Sequence, residues 1–223
     1  MILGGAHITE WLTAFGTMGA VFVSLFYGLL KRQLCRPRIT ISFEEDSPCL
    51  EETSSSNTSS LLSDKKLIIR VKVTNTGRMS ADHANVCVDA IYKKRSGDSS
   101  FSCKKYTPIL IRDYRNSEIR RVVPHLDYYL DIASIEKYDE LTAENERGMK
   151  KQFYKLFLLG NGKSEMLGVG TFIIPLKFYS SNVKTQLVYM QIYWNSDDYT
   201  TSDDCFYVKE LSKKEFDNIV NRK

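Results

Sequence analysis

The distribution of apolar and polar residues along this chain of 223 residues changes sharply near residue 30. The run from Trp11 to Leu30 contains no charged residue and is mostly apolar. A helix of about 20 such residues spans roughly 30 Å, the thickness of the hydrocarbon core of a bilayer. Because a helix satisfies its own backbone polar groups in lipid, we predict a transmembrane helix over about 11–30. A helix buried in a protein core is the alternative.

Charged residues on the two sides of this run differ in sign. Glu10 precedes it, whereas a basic group follows directly: Lys31, Arg32, Arg36 and Arg38. Because Lys and Arg beside a span favour the cytoplasmic side, we expect an inner (plasma) membrane protein with its N-terminus outside and its C-terminal part in the cytoplasm. A cleaved signal peptide is the rival interpretation, but the first ten residues lack the basic start that such a peptide needs.

Small residues recur every four positions within the apolar run, at Gly16, Ala20, Ser24 and Gly28. Residues at this spacing lie on one face of a helix, and small side chains there let two helices approach closely in lipid. The pattern predicts self-association into a homo-oligomer. A lone helix with incidental small residues is the alternative.

After residue 38 the pattern becomes one of alternating apolar and polar residues, which is typical of strands. We predict a domain over 37–223 that follows an N-terminal tail, span and juxtamembrane segment over 1–36. Its expected strands are 39–43, 67–73, 85–92, 101–106, 108–111, 120–123, 153–159, 167–174, 186–194 and 205–208. Many short strands separated by turn signals predict a mainly β fold, an antiparallel β-sandwich.

Three segments depart from alternation. Residues 44–66 are acidic and then rich in Ser and Thr, which predicts a mobile loop. Residues 134–146 carry an apolar spacing that suggests a helix. Ser212 and Glu215 have the spacing of a capping box, so a short C-terminal helix over 212–220 is expected.

Composition excludes some classes of protein. The net charge is only +4, so nucleic acid is not an expected partner. The five cysteines have no Cys-x-x-Cys pair and there are only three histidines, which argues against a structural zinc site. Free thiols fit a reducing cytoplasm.

The run Val71–Gly77, with Ala81, Ala84, Val86 and Val88, resembles the immunoglobulin-like hairpin of bacterial adhesion-type modules. The resemblance covers residues 67–92 and implies an immunoglobulin-like sandwich. The layout of one N-terminal span and a β domain is similar to uncharacterised bacterial membrane proteins. It is also similar to the membrane effectors of antiphage signalling systems, which implies a sensor joined to a membrane-acting helix.

Residues that commonly carry catalysis lack a recognisable context here. His83 follows a turn and His125 follows Pro124, but neither has a nucleophile in a known motif. The glycines at 160–162 and 168–170 match no nucleotide-binding fingerprint. We therefore expect a protein that is not an enzyme and needs no cofactor.

Four carboxylates lie in one late loop: Asp197, Asp198, Asp203 and Asp204. Converging carboxylates suit Ca²⁺, and the loop loosely resembles one calcium loop of C2-type lipid-binding domains. No second acidic loop can be assigned, so a solvated hairpin is the favoured interpretation.

Basic residues are concentrated between residues 93 and 121, and the arginines are Arg95, Arg112, Arg115, Arg120 and Arg121. With the juxtamembrane group they can face an anionic leaflet, or they can bind a phosphorylated ligand. Solvated strand edges are the plain alternative.

The sequence as a whole predicts a membrane-anchored sensor or effector. Its β domain would bind a small nucleotide-like ligand or a protein, and its helix would assemble with other copies, in antiphage defence if the resemblance holds. An adaptor that tethers a protein-binding sandwich to the membrane, and a C2-like domain that binds calcium or anionic lipid, are the alternatives.

Overall fold

The computed structural model of the protein describes residues 5–55, 64–95, 97–111, 119–138, 153–160, 163–195 and 204–220. It is mainly β, with an N-terminal apolar helix, antiparallel sheets and a short C-terminal helix, as the sequence predicts. The elements in chain order are α1 Gly5–Leu34, β1 Ile39–Ser42, β2 Leu50–Ser55, β3 Asp64–Asn75, β4 Ala81–Asp82, β5 Asn85–Lys94, β6 Ser102–Ile111, β7 Arg121–Val122, β8 Asp127–Tyr138, β9 Phe153–Gly160, β10 Lys163–Gly168, β11 Gly170–Tyr179, β12 Gln186–Trp194, β13 Phe206–Leu211 and α2 Lys213–Val220.

The strands form two main sheets and a small ribbon, and every pairing is antiparallel. The first sheet has the order β1-β3-β8-β9-β10, and β2 also pairs with β3. The second has the order β13-β12-β11-β5-β6. Strands β4 and β7 form the ribbon, in which Ala81 lies opposite Val122.

One hydrophobic core is shared by the two main sheets, which gives a sandwich-like arrangement. In β3 the alternate residues Leu67, Ile69, Val71 and Val73 are buried. They belong to the same apolar cluster as Phe172, Ile174 and Trp194 of the second sheet. The alternation in the sequence therefore identifies the faces of the strands that are buried in the core. The immunoglobulin-like subtype remains a prediction.

The C-terminal helix covers the outer face of the second sheet. Phe216 of α2 stacks on Tyr189 with ring centroids 4.1 Å apart and meets the edge of Tyr92 at 5.1 Å. The predicted capping box is present, because Ser212 N donates to Glu215 Oε2 over 2.8 Å and Glu215 N donates to Ser212 Oγ over 3.3 Å. These bonds from Ser212, with Lys209 nearby, lower the pKa of Glu215 to about 2.

Two predictions about local structure are wrong. The segment 44–66, predicted as a loop, contains β2 and the first residues of β3, which pair from Leu50↔Ile69 to Ser55↔Asp64. Residues 134–138, predicted as the start of a helix, are the end of β8. In both places pairing with a neighbouring strand decides the conformation, and composition does not report it. The rest of the predicted helix lies outside the described residues.

One helix in the described part of the chain is long and apolar enough to cross a membrane, over Thr9–Leu29 near the N-terminus. Its large apolar side chains are 57–69% exposed, so it is not a core helix of the β domain. The connection from α1 to β1 is short, since only residues 35–38 separate them.

Candidate functional site

The end of the β domain that receives α1 gathers several loops, and we call it the linker end. It consists of residues 35–38, 76–84, 119–126 and 180–185. Strands β3, β6 and β11 run toward this end, while β1, β5, β8 and β12 start from it. Segments that are far apart in sequence therefore meet here.

Asn75, the last residue of β3, holds these loops together from a fully buried position. Its side-chain oxygen accepts hydrogen bonds from Arg38 N (3.1 Å) and Gly77 N (3.0 Å). Its side-chain nitrogen donates to Met79 O (2.7 Å) and Val122 O (3.0 Å). All four hydrogen-bonding positions of the amide are used, so one side chain fixes the linker, the turn after β3 and strand β7.

The linker also lies against the turn that follows Asn75. Thr76 N donates to Arg38 O over 2.9 Å. A Cβ atom added to Gly77 would come within 2.2 Å of Arg36 O and 2.6 Å of Arg38 N. Only glycine permits this approach, because real Cβ atoms do not come so near to backbone atoms. The predicted turn is thus a docking surface for the linker.

Positive charge dominates the described loops of the linker end. They hold one carboxylate, Asp82, against six cationic residues: Arg36, Arg38, Arg78, Arg120, Arg121 and Lys184. All six are exposed. Arg121 Nε donates to Asp82 Oδ1 over 2.8 Å. The field of this surface favours an anionic partner.

A cleft of about 610 Å³ lies beside the β4–β7 ribbon, lined by Asp82, His83, Ala84, Asn85, Arg120, Arg121 and Ser181. His83 has a φ of 51°, a left-handed conformation that non-glycine residues adopt rarely. Its Nδ1 lies 3.4 Å from Ser181 Oγ. This set of cationic and hydroxyl groups can hold a phosphate or carboxylate, since Arg offers planar, charge-assisted hydrogen bonds.

A second cleft, of about 600 Å³, separates the linker from the β11–β12 hairpin. It is lined by Arg36, Pro37, Arg38, Ile39, Asn182, Val183, Lys184, Thr185 and Gln186. A smaller one, of about 240 Å³, lies between Arg36, Arg38 and the turn at 76–78. The basic residues of the linker therefore border open cavities.

Exposed apolar side chains accompany these charges. Met79, Val123 and Leu126 are 46%, 41% and 51% exposed. Asn75 joins their backbones, because its side chain binds Met79 O and Val122 O and its carbonyl accepts His125 N over 2.9 Å. The linker end thus combines apolar and basic groups on one surface.

The structure brings together some of the predicted site residues. Arg36 and Arg38 share the linker end with Arg120 and Arg121, because Asn75 binds both Arg38 N and Val122 O, although more than 80 residues separate the pairs in sequence. Lys31 and Arg32 belong to the last turns of α1, and their side chains are outside the described residues. Arg112 and Arg115 also lie outside them. The pattern missed Asn75, Arg78 and Lys184, whose partners are distant in sequence.

The small residues predicted to pack helices occupy an open face. Gly16, Ala20, Ser24 and Gly28 are exposed on α1, and an added Cβ at Gly16 or Gly28 meets nothing within 4 Å. Of the four predicted calcium ligands, Asp197, Asp198 and Asp203 lie outside the described residues, and Asp204 is exposed. Within the described ranges no group of three or more His, Cys, Asp or Glu side chains is placed to hold a metal ion.

A buried arginine that the sequence did not single out braces the first sheet. Arg70 is 6% exposed on the face opposite the core. It is bound by Asp131 Oδ1 at 2.5 Å, by Glu51 and by Pro48 O at 3.2 Å. Burial opposes the charge, but the hydrogen bonds with Glu51 and Asp131 outweigh it and raise the pKa of Arg70. Its partners satisfy this cation within the fold, so we assign it a structural role.

Comparison with known proteins gives no relative for this arrangement. No protein-family model, no curated protein and no solved structure matches the chain.

Proposed function

We propose that the protein is a membrane-anchored sensor or effector. Its β domain binds an anionic ligand or partner at the linker end, and its helix associates with other copies in the bilayer. The observation that carries this proposal is the clamp on the linker. A helix with an exposed apolar surface is followed by a linker of four residues, and Asn75 fixes the last of them, Arg38, to the β domain.

This connection gives a ligand a route to act on the helix. Strand β7 carries Arg121, which lines the cleft beside His83. The next residue of β7, Val122, is bound by Asn75, and Asn75 also binds Arg38. A ligand that displaces β7 would thus change the hydrogen bond between Val122 and Asn75. Because Asn75 also binds Arg38, the change would reach the linker. A flexible linker would lose such a signal.

The orientation follows from charge. The linker end adds four more basic residues to those next to the span: Arg78, Arg120, Arg121 and Lys184. Positive residues close to a span stay on the cytoplasmic side. We therefore place the β domain in the cytoplasm, the short N-terminus outside and the helix in the inner (plasma) membrane.

Self-association is supported by the open face of α1. Without a hydrophobic driving force in lipid, helices associate through close van der Waals contact, which small residues permit. The face formed by Gly16, Ala20, Ser24 and Gly28 is exposed along the helix and unobstructed by the β domain. A role in antiphage defence rests on the resemblance in layout and is part of this proposal only to that extent.

Crosslinking of the full chain in membranes tests the proposal. Gly16→Leu and Ala20→Leu fill the small-residue face while they keep the segment apolar, so crosslinked oligomers and any membrane phenotype should be lost. Val21→Leu and Phe22→Leu are the matched controls on other positions of the same helix, and they should behave as the parent. If all four variants crosslink equally, the helix is only an anchor, and the adaptor function replaces the effector function.

A further inference from the structure

The linker end carries two kinds of exposed group, apolar side chains and cations, on one surface. Its apolar members, Met79, Val123 and Leu126, are each more than 40% exposed. Around them the described loops hold six cationic residues and a single carboxylate, Asp82. Apolar side chains beside Lys and Arg are the pattern of surfaces that insert among anionic headgroups.

The position of this surface in the chain identifies its partner. Leu34 ends α1 and Ile39 begins β1, so Ile39, which borders the linker end, lies within about 18 Å of the end of the helix. The opposite end is about 40 Å away, because β3 and β8 are each 12 residues long. If Thr9–Leu29 crosses a bilayer, the linker end is the part of the domain beside the headgroups.

The surface is also built to keep its shape. Asn75 fixes the backbones at Met79 and Val122, and His125 N donates to the carbonyl of Asn75. His125 has a φ of 59°, so the turn that presents Leu126 is held in a left-handed conformation. Because this backbone is already ordered before the surface meets the bilayer, docking costs less conformational entropy.

We propose that the linker end is a lipid-docking surface. Met79, Val123 and Leu126 enter the interfacial layer, and Arg36, Arg38 and Arg78 bind the phosphates of anionic phospholipids. The β domain would then rest on the bilayer through this end instead of moving freely on its tether. The proposal rests on the proposed membrane anchor and adds a second, independent contact with lipid.

Quenching of tryptophan by brominated lipid tests the docking. The full chain with Trp11→Phe and Leu126→Trp is reconstituted into vesicles of phosphatidylcholine and phosphatidylglycerol, with brominated phosphatidylcholine as the quencher. Emission should be quenched at position 126. The matched control is Val169→Trp in the same Trp11→Phe background, because Val169 is an exposed apolar residue at the opposite end of the domain. Trp194 is fully buried and common to all variants, so it gives a constant background.

Charge is tested separately. Combining Arg36→Gln, Arg38→Gln and Arg78→Gln should lower the ratio of docked to undocked protein about fivefold per arginine. Salt at about 1 M should likewise lower the ratio of docked to undocked protein in the chain that keeps its arginines, because it shortens the Debye length to about 3 Å. This measurement needs no substitution that could disturb folding. Vesicles of phosphatidylcholine alone should give weaker quenching at position 126. Equal quenching in both kinds of vesicle would exclude anionic headgroups as the ligand.

The result that overturns docking is specific to it. An unquenched Leu126→Trp, or equal quenching at positions 126 and 169, would reject the surface even if the helix is inserted. Insertion itself is followed through Trp11 in the parent chain, which lies within the candidate span. If Trp11 is also unquenched, the membrane anchor is wrong and the proposed function fails together with the docking surface.

Discussion

The side-chain oxygen of Asn75 accepts a hydrogen bond from the backbone N–H of Arg38, so the last residue of β3 holds the last residue of the linker. The two residues are 37 positions apart in sequence. The contact places the start of the β domain directly against the segment that leaves α1. Four predictions test this and other features of the fold.

Replacing Asn75 should loosen the whole linker end. Asn75→Ala leaves the carbonyls of Met79 and Val122 and the N–H groups of Arg38 and Gly77 without their partner, and the bonds to Val122 and Gly77 are buried. We expect a loss of about 2–4 kcal/mol in the free energy of unfolding. Urea unfolding of the full chain in detergent measures this loss.

The matched control is Asn182→Ala, which removes hydrogen bonds with Asp82 N and Ser80 O at an exposed site. Water replaces those bonds, so the control should lose less than about 1 kcal/mol. Equal losses would contradict the central role of Asn75.

The Arg70 cluster should matter far more than an exposed ion pair. Arg70→Met removes the buried cation that pairs with the carboxylates of Glu51 and Asp131. We expect a loss of about 2–4 kcal/mol in the free energy of unfolding, because the two carboxylates are left unpaired. Arg121→Met removes the pair with Asp82, whose side chains are 65% and 41% exposed. That control should lose less than about 1 kcal/mol. Denaturant midpoints of the two variants provide the comparison, and a similar loss in both would show that burial does not amplify the Arg70 contacts.

Asp127 should contribute stability that depends on pH. The hydroxyl of Thr74 donates to its carboxylate over 2.6 Å, and Lys72 lies at 3.2 Å, so the pKa of Asp127 is lowered. A carboxyl with a lowered pKa in the folded state stabilises the fold at neutral pH. This contribution begins to fade near the unfolded value of about 3.9 and is lost as the pH falls through the folded value. Because the group is partly exposed, Asp127→Asn should cost less than about 1 kcal/mol at pH 7. The difference from the parent should therefore shrink as the pH falls below about 4, as measured by urea midpoints between pH 7 and pH 2. A difference that grows in acid would have the wrong sign.

Cysteine labelling should report both burial and topology. Cys103 is exposed, whereas Cys49 and Cys87 are buried and their burial raises the pKa of each thiol. In a variant with Cys35→Ser and Cys205→Ser, a membrane-impermeant maleimide should label only Cys103, and only after the cells are permeabilised. Adding His7→Cys and Cys103→Ser should move the labelling to intact cells, because residue 7 precedes the candidate span. Labelling of Cys103 in intact cells would reverse the proposed orientation.

The sequence predicts those helices and strands whose conformation depends on the pattern of their own residues. Alternation over 67–73 identifies the core face of β3, and the spacing of Ser212 and Glu215 identifies the start of α2. Strand β2 escapes this approach because its sequence of acidic and hydroxyl residues has no apolar alternation, and pairing with β3 defines it. Residues 134–138 show the same limit, since β8 extends to Tyr138 between β3 and β9.

The candidate site is harder to predict because its members meet only after folding. Thr74-Asn75-Thr76-Gly77 is recognisable in the sequence as a turn, but Arg38 and Val122 bind Asn75 from 37 and 47 residues away. The basic residues at 36–38 and 120–121 are visible as two groups, and nothing in either group indicates the other. The exposed Met79, Val123 and Leu126 look in sequence like ordinary turn and edge residues.

The contacts of Asn75 and Gly77 with residues 36–38 leave only a short free segment between α1 and the β domain. Each residue turns a helix by about 100° and advances it by about 1.5 Å, so the length of α1 sets the direction in which its small-residue face points where the linker begins. If copies associate through that face, as proposed, this direction limits which sides of their β domains can face each other. One alanine inserted within α1 would turn the face by about 100° relative to the linker, while seven inserted residues, about two full turns, would nearly restore it. Under the proposed association, the rotational register of the helix thus selects which surfaces of neighbouring domains can meet.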